Sequence, residues 1–177
     1  TAMDIVGLGI NTVEQLVDEG LIKDIADLYR LNKPDLLDLE GFGEKKADNL
    51  INAIQGSKSQ PLYRLITGLG IRGVGQVAAQ DLTEHYKNLD ELHKANKEAL
   101  ESIEGFGPNI AESIVEWFEN EENQDVLQKL KDNGVWPEAE GEEEGPQPLV
   151  GLTFVVTGTL PNLTRTEVKD LIETNGG

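Results

Sequence analysis

Cysteine is absent from the 177 residues. Disulfides, thiolate nucleophiles and cysteine-ligated zinc are therefore excluded within this chain, and a reducing, cytoplasmic setting is expected. No stretch approaches the roughly 18 consecutive apolar residues of a membrane span, so no membrane partner is expected. The opening residues Thr1-Ala2-Met3-Asp4 carry neither a basic nor an apolar run, so a secretory leader is not expected. Aromatics make up only 5% of the chain against 38% hydrophobic residues, so any core must be built from Leu, Ile, Val and Ala. The two histidines, His85 and His93, sit in helical patterns and read as ordinary, partly exposed side chains. Positive charge is short as well. Lys and Arg number 15 against 33 Asp and Glu, for a formal net charge of −18. That balance argues against a broad basic DNA-binding surface; acids spread along helices read first as a solvated face.

Glycine is plentiful, at 19 residues, and part of it recurs. Four segments share the order aliphatic, any residue, Gly, apolar, Gly, then Ala or Val after three more residues. They are Ile5-Val6-Gly7-Leu8-Gly9 with Val13, Leu39-Glu40-Gly41-Phe42-Gly43 with Ala47, Ile71-Arg72-Gly73-Val74-Gly75 with Ala79, and Ile103-Glu104-Gly105-Phe106-Gly107 with Ala111. Their first glycines are 34, 32 and 32 residues apart. Each segment opens an amphipathic stretch. Ala47, Leu50, Ile51 and Ile54 share one helical face, as do Ala111, Ile114, Val115 and Phe118. Val13, Leu16 and Val17 form a shorter third face ended by Gly20, and Ala79, Leu82 and Tyr86 a fourth. Short helical patterns precede the hairpins, at Pro34 to Leu39 and Lys97 to Ile103, with Pro34 suited to a first helical turn. The first and third repeats match at an offset of 66 and the second and fourth at 64. The expected fold is all-α, four tandem helix, hairpin, helix units arranged as two pseudo-symmetric pairs over residues 1–136.

Such a hairpin suits an anion. A tight turn between helices needs backbone angles that a Cβ disfavours, which glycine supplies. A helix start presents unpaired N–H groups and partial positive charge, so a phosphate can dock on backbone alone. This is how an acidic chain could hold a polyanion. The candidate phosphate contacts are Gly7, Gly9, Asn11 and Thr12 in the first hairpin, and Gly41, Gly43, Lys45 and Lys46 in the second. Arg72, Gly73, Gly75 and Gln76 serve the third, and Gly105, Gly107 and Asn109 the fourth. Glu40, Glu44 and Glu104 nearby should weaken the attraction unless they point away. Few counterions would be released, so a shallow salt dependence is expected, and phosphate contacts carry no sequence information. Bland readings stand beside this one. A single Gly-x-Gly can be a mere connector. The run Gly73 to Ala78 also fits a dinucleotide fingerprint, but no strand precedes it. The period suggests tetratricopeptide repeats, whose pattern lacks these glycines.

The helical pattern ends near Gly134. Residues 137–148, rich in Pro, Gly and Glu, read as a flexible acidic linker. Residues 149–177 read differently. Leu152 to Thr157 is a β-branched strand pattern, and Thr164 with Glu167 forms a capping box for a helix carrying Val168, Leu171 and Ile172. One strand and one helix make no stable domain, so this α/β segment is expected to be incomplete.

The hairpins resemble the C-terminal half of bacterial NAD-dependent DNA ligases. The resemblance rests on Leu69 to Gly75, Ile103 to Gly107, the tail Asn133-Gly134-Val135-Trp136-Pro137, and Phe154 to Leu160 after the acidic linker. It implies four helix-hairpin-helix motifs that grip nicked duplex DNA from the minor groove, in a monomer, followed by the start of a BRCT domain. It also implies a phosphate pocket at Thr157 and Gly158 with Arg165, residues that serve equally as strand and cap. NAD, a divalent metal such as Mg and a structural Zn would belong to the parent enzyme. The family's Lys-x-Asp-Gly motif is missing here, so no catalytic residue, cofactor or metal site is expected in this chain. Two alternatives stay open: a helix-hairpin-helix module of another repair or recombination protein, and an acidic protein-interaction module.

Overall fold

The computed structural model describes residues 2–139. Most of the acidic linker, the α/β segment and with it Thr157, Gly158 and Arg165 lie outside the described residues. Helix α1 spans Ile10–Asp18, and a 3₁₀ helix follows at Ile25–Arg30. Then come α2 (Lys33–Leu37), α3 (Glu44–Ser57), α4 (Leu62–Gly68) and α5 (Gln76–His85). Helices α6 (Leu89–His93), α7 (Lys97–Glu101), α8 (Pro108–Glu119) and α9 (Glu121–Asp132) complete the described order. The described residues contain helices and no strand, as the sequence predicts, and belong to one compact unit ending at Ala139.

The duplication read from the glycines is repeated in the caps. Asp24 caps the 3₁₀ helix and Asn88 caps α6, 64 residues on. In both, the third helical residue returns a carboxylate to the chain just before the cap: Lys23 N donates to Asp27 Oδ2 at 2.9 Å, and Lys87 N to Glu91 Oε2 at 2.8 Å. Asn32 caps α2 and Asn96 caps α7 at the same offset. Each cap satisfies amides that a helix start leaves unpaired, worth about 1 kcal/mol relative to alanine. The 3₁₀ helix is thus the counterpart of α6.

Equivalent positions of the four repeats share the interior. Leu16, Leu50, Leu82 and Ile114 are all buried, as are Ala47, Ala79 and Ala111. Fully burying a Leu or Ile contributes about 1.5–3 kcal/mol, so this column accounts for much of the packing. The first unit departs from the pattern. No helix precedes Gly7 among the described residues. Val17, placed by spacing on the buried face, is 50% exposed. Helix α1 stops one residue later at Asp18 and reverses at Gly20, where Leu21 N donates to Leu16 O and Gly20 N to Val17 O. The position is reached before anything covers it.

Helix α9 packs on the 3₁₀ helix and joins the end of the described chain to its beginning. Lys129 Nζ lies 2.8 Å from Asp24 Oδ2 and 3.1 Å from Asp27 Oδ1. Leu127, Leu130 and Val135 are buried alongside. The first residues of the expected linker lie against the same body, with Ala139 N donating to Lys87 O at 2.6 Å.

Candidate nucleic-acid interface

Each Gly-x-Gly begins with a turn closed by one hydrogen bond. Leu8 N donates to Ile5 O at 3.2 Å, Phe42 N to Leu39 O at 3.2 Å, Val74 N to Ile71 O at 3.0 Å, and Phe106 N to Ile103 O at 3.1 Å. The aliphatic residue that accepts is buried in all four, and Phe42, Val74 and Phe106 are buried too. The turn is therefore anchored at both ends by the core. Its third residue is Gly7, Gly41, Gly73 or Gly105, with φ of 90°, 79°, 82° and 85°. That region costs an L-residue roughly 1–2 kcal/mol. At Gly73 a Cβ would also come within 3.3 Å of Ile110 Cγ1.

The second glycine does something different. Gly9, Gly43, Gly75 and Gly107 are the N-caps of α1, α3, α5 and α8, in extended backbone that any residue can adopt. A Cβ there would meet nothing within 4 Å. Their carbonyls accept the first helical bond, from Val13, Ala47, Ala79 and Ala111. No side chain caps any of these four helices. The 3₁₀ helix, α2, α6, α7 and α9 are by contrast all closed by Asp or Asn. Three amides stay open in the first turn of α1, α3 and α5, which leaves two in α8, where Pro108 has no N–H. This is a repeated set of backbone donors with a partial positive charge at each.

The side chains around them differ between hairpins. Asn11 is exposed and Thr12 half-buried in the first turn of α1. Lys45 and Lys46 are exposed in the first turn of α3, with Lys46 Nζ 4.0 Å from the centre of the Phe42 ring. Arg72 is exposed at the third turn and Gln76 begins α5; Asn109 is exposed on α8. Glu40, Glu44 and Glu104 are exposed beside the second and fourth hairpins. The first and second hairpins are brought together. Gln15 Nε2 donates to Glu40 O at 2.9 Å, and a cleft of about 570 Å³ between them is lined by Val6, Gly7, Phe42, Gly43, Lys45 and Lys46. Gly73 of the third hairpin lies against Ile110 of α8, which follows the fourth. Sequence reasoning missed Val6, Ile10 and Val77, which stand 78%, 74% and 71% exposed on the hairpins. Val6 and Val77 belong to no helical face pattern, whereas Ile10 keeps helical spacing with Val13 and Val17.

Comparison with known proteins agrees with this geometry. Residues 2–55 match a SAM-like helix-hairpin-helix tandem, and residues 64–127 match a helix-hairpin-helix motif. A DNA ligase of Syntrophomonas wolfei is 48% identical over 99% of the chain and 27% of its own length. One from Trichlorobacter lovleyi is 50% identical over 99% of the chain and 26% of its own length. A third, from Thermosipho africanus, is 42% identical over the whole chain and 27% of its own length. The chain spans about a quarter of the length of these curated relatives. Two stretches of the chain thus match helix-hairpin-helix models, and from end to end it is similar to one segment of the DNA ligases.

Proposed function

We propose that the hairpins hold duplex DNA by its phosphates, without reading sequence, as the clamp of an NAD-dependent ligase that seals nicks. Adenylation and joining would fall to residues outside this chain. One observation carries the reading: all four helices that follow Gly-x-Gly are left open, while five of the six other described helices are closed by Asp or Asn, α4 after Pro61 being the exception. Closing those four would have been easy, since serine or asparagine fits an extended N-cap. Open amides are expensive unless water or a ligand satisfies them, and a phosphodiester suits both their geometry and their dipole. Lys45, Lys46 and Arg72 add local attraction to what the amides supply.

The test exploits opposite signs. Gly43→Ser and Gly75→Ser place a capping hydroxyl on the open amides. Each should raise stability by a few tenths of a kcal/mol, read by thermal unfolding. Both should weaken binding to a nicked duplex, read by fluorescence anisotropy, because the hydroxyl competes with phosphate. Unchanged or tighter DNA binding in the stabilised variants would remove the phosphate role. Substitutions at Gly41, Gly73 or Gly105 would be less informative, since positive φ makes them strain the fold as well.

A further inference from the structure

Val6, Ile10 and Val77 are the most exposed large aliphatic side chains of the described residues, and all three stand on the first and third hairpins. A single exposed aliphatic needs no explanation. These three, however, flank the open amides: Val6 precedes Gly7 in its turn, while Ile10 and Val77 lie in the first turns of α1 and α5. Glu40, Arg72 and Glu104 occupy the place of Val6 in the other hairpins. Val6 also lines the cleft between the first and second hairpins, together with Gly43, Lys45 and Lys46. That cleft therefore joins an anion-attracting side to an apolar side. A sugar-phosphate unit has the same division, with a charged phosphate next to the C–H face of its ring.

We propose that this cleft seats one deoxyribose-phosphate unit and selects against ribose. The inference rests on the hairpins holding phosphate. The phosphate lies against Lys45, Lys46 and the amides that open α3, and the sugar lies against Val6. Ile10 and Val77 make the corresponding contact beside their own amides. In a minor groove the 2′-hydroxyl of RNA is displayed to the protein. Against a valine side chain that hydroxyl would lose water and gain no partner, a penalty that deoxyribose escapes.

The experiment is anisotropy of the 177-residue chain with three nicked duplexes of one sequence. One is all DNA; in the second, one strand is RNA; in the third, that strand carries 2′-fluoro sugars, which take up ribose-like pucker without a hydroxyl. The all-DNA and 2′-fluoro duplexes should bind alike, and the RNA-containing duplex about fivefold or more weaker. Val6→Asn, exposed and so harmless to folding, offers the hydroxyl a partner and should narrow that gap to about twofold or less. Equal affinity for all three duplexes overturns the sugar contact and leaves phosphate holding intact. So does a gap that Val6→Asn does not change. A 2′-fluoro duplex as weak as the RNA-containing one makes the preference a matter of duplex shape and also overturns it. Failure to bind any of the three overturns both readings together.

Discussion

Lys129 is held between two carboxylates, those of Asp24 and Asp27, more than a hundred residues away in sequence. Burial pushes the Asp27 carboxyl up, but the Lys23 amide and the Lys129 ammonium outweigh it and leave the group below the usual carboxylate range. Hydrogen bonds to Asp24 and then Asp27 raise Lys129 above its ordinary value, against the smaller effect of burial. The signs fix the pH window. A lowered Asp27 contributes stability above its unfolded value that is lost as pH falls through the folded one, and a raised Lys129 contributes stability that is lost only as pH rises through its own titration. Replacing Lys129 with Met should therefore move acid unfolding to higher pH, and the gap from the parent chain should close once Asp27 is protonated in both. Circular dichroism across an acid titration reads this; an unmoved midpoint would mean that Asp27 is held by its capping bonds alone. None of this was legible in the sequence, because an ion pair across the whole chain leaves no spacing to read. The hairpin glycines were legible for the opposite reason: their constraint is local, and four copies repeat it. Val6, Ile10 and Val77 fell between these cases, since an apolar letter shows its type and not its exposure.

At the scale of elements, the units differ in how they are closed. Asn caps close the short helices α2, α6 and α7 at five residues each, lengths at which an isolated helix would not form in water. The end of α9 is secured differently. Gly134 reverses the chain, Val135 is buried, and Trp136 Nε1 donates to Asp90 Oδ2 at 3.1 Å. Lys131 Nζ reaches the same carboxylate at 3.3 Å and sits 5.0 Å from the Trp136 ring. This triad ties the tail to α6. Asp90→Ala should release it with a stability loss of about 1 kcal/mol or less, since the pair is half exposed. In a Trp117→Phe background, Trp136 fluorescence should become more accessible to acrylamide; unchanged quenching would mean that Val135 alone holds the tail. Residues 137–139 read as linker because Pro, Glu and Ala carry no periodicity, yet Ala139 bonds back to Lys87. The helical faces were readable along α3 and α8, and misread at Val17, near the end of the shorter α1.

Across the whole molecule, net charge and the proposed grip have opposite signs. The formal net charge is −18, while the candidate cations at the hairpins are Lys45, Lys46 and Arg72. Each phosphate neutralised by such a side chain contributes about 0.9 to the slope of log affinity against log salt. A slope magnitude of about 3 or less is therefore expected in an equilibrium titration, and a value well beyond about 5 would require a basic surface that the hairpins do not provide. The glycine-started helices bear also on time. On the proposed reading their donors are backbone, fixed before DNA arrives, so no long side chain would have to be ordered on docking. What would slow such an approach is repulsion at a distance between an acidic body and a polyanion, which mobile ions screen within about 10 Å at 0.1 M. Salt should therefore hasten encounter even as it loosens the bound state, so that association and dissociation rates rise together and each visit to the duplex grows more frequent and shorter.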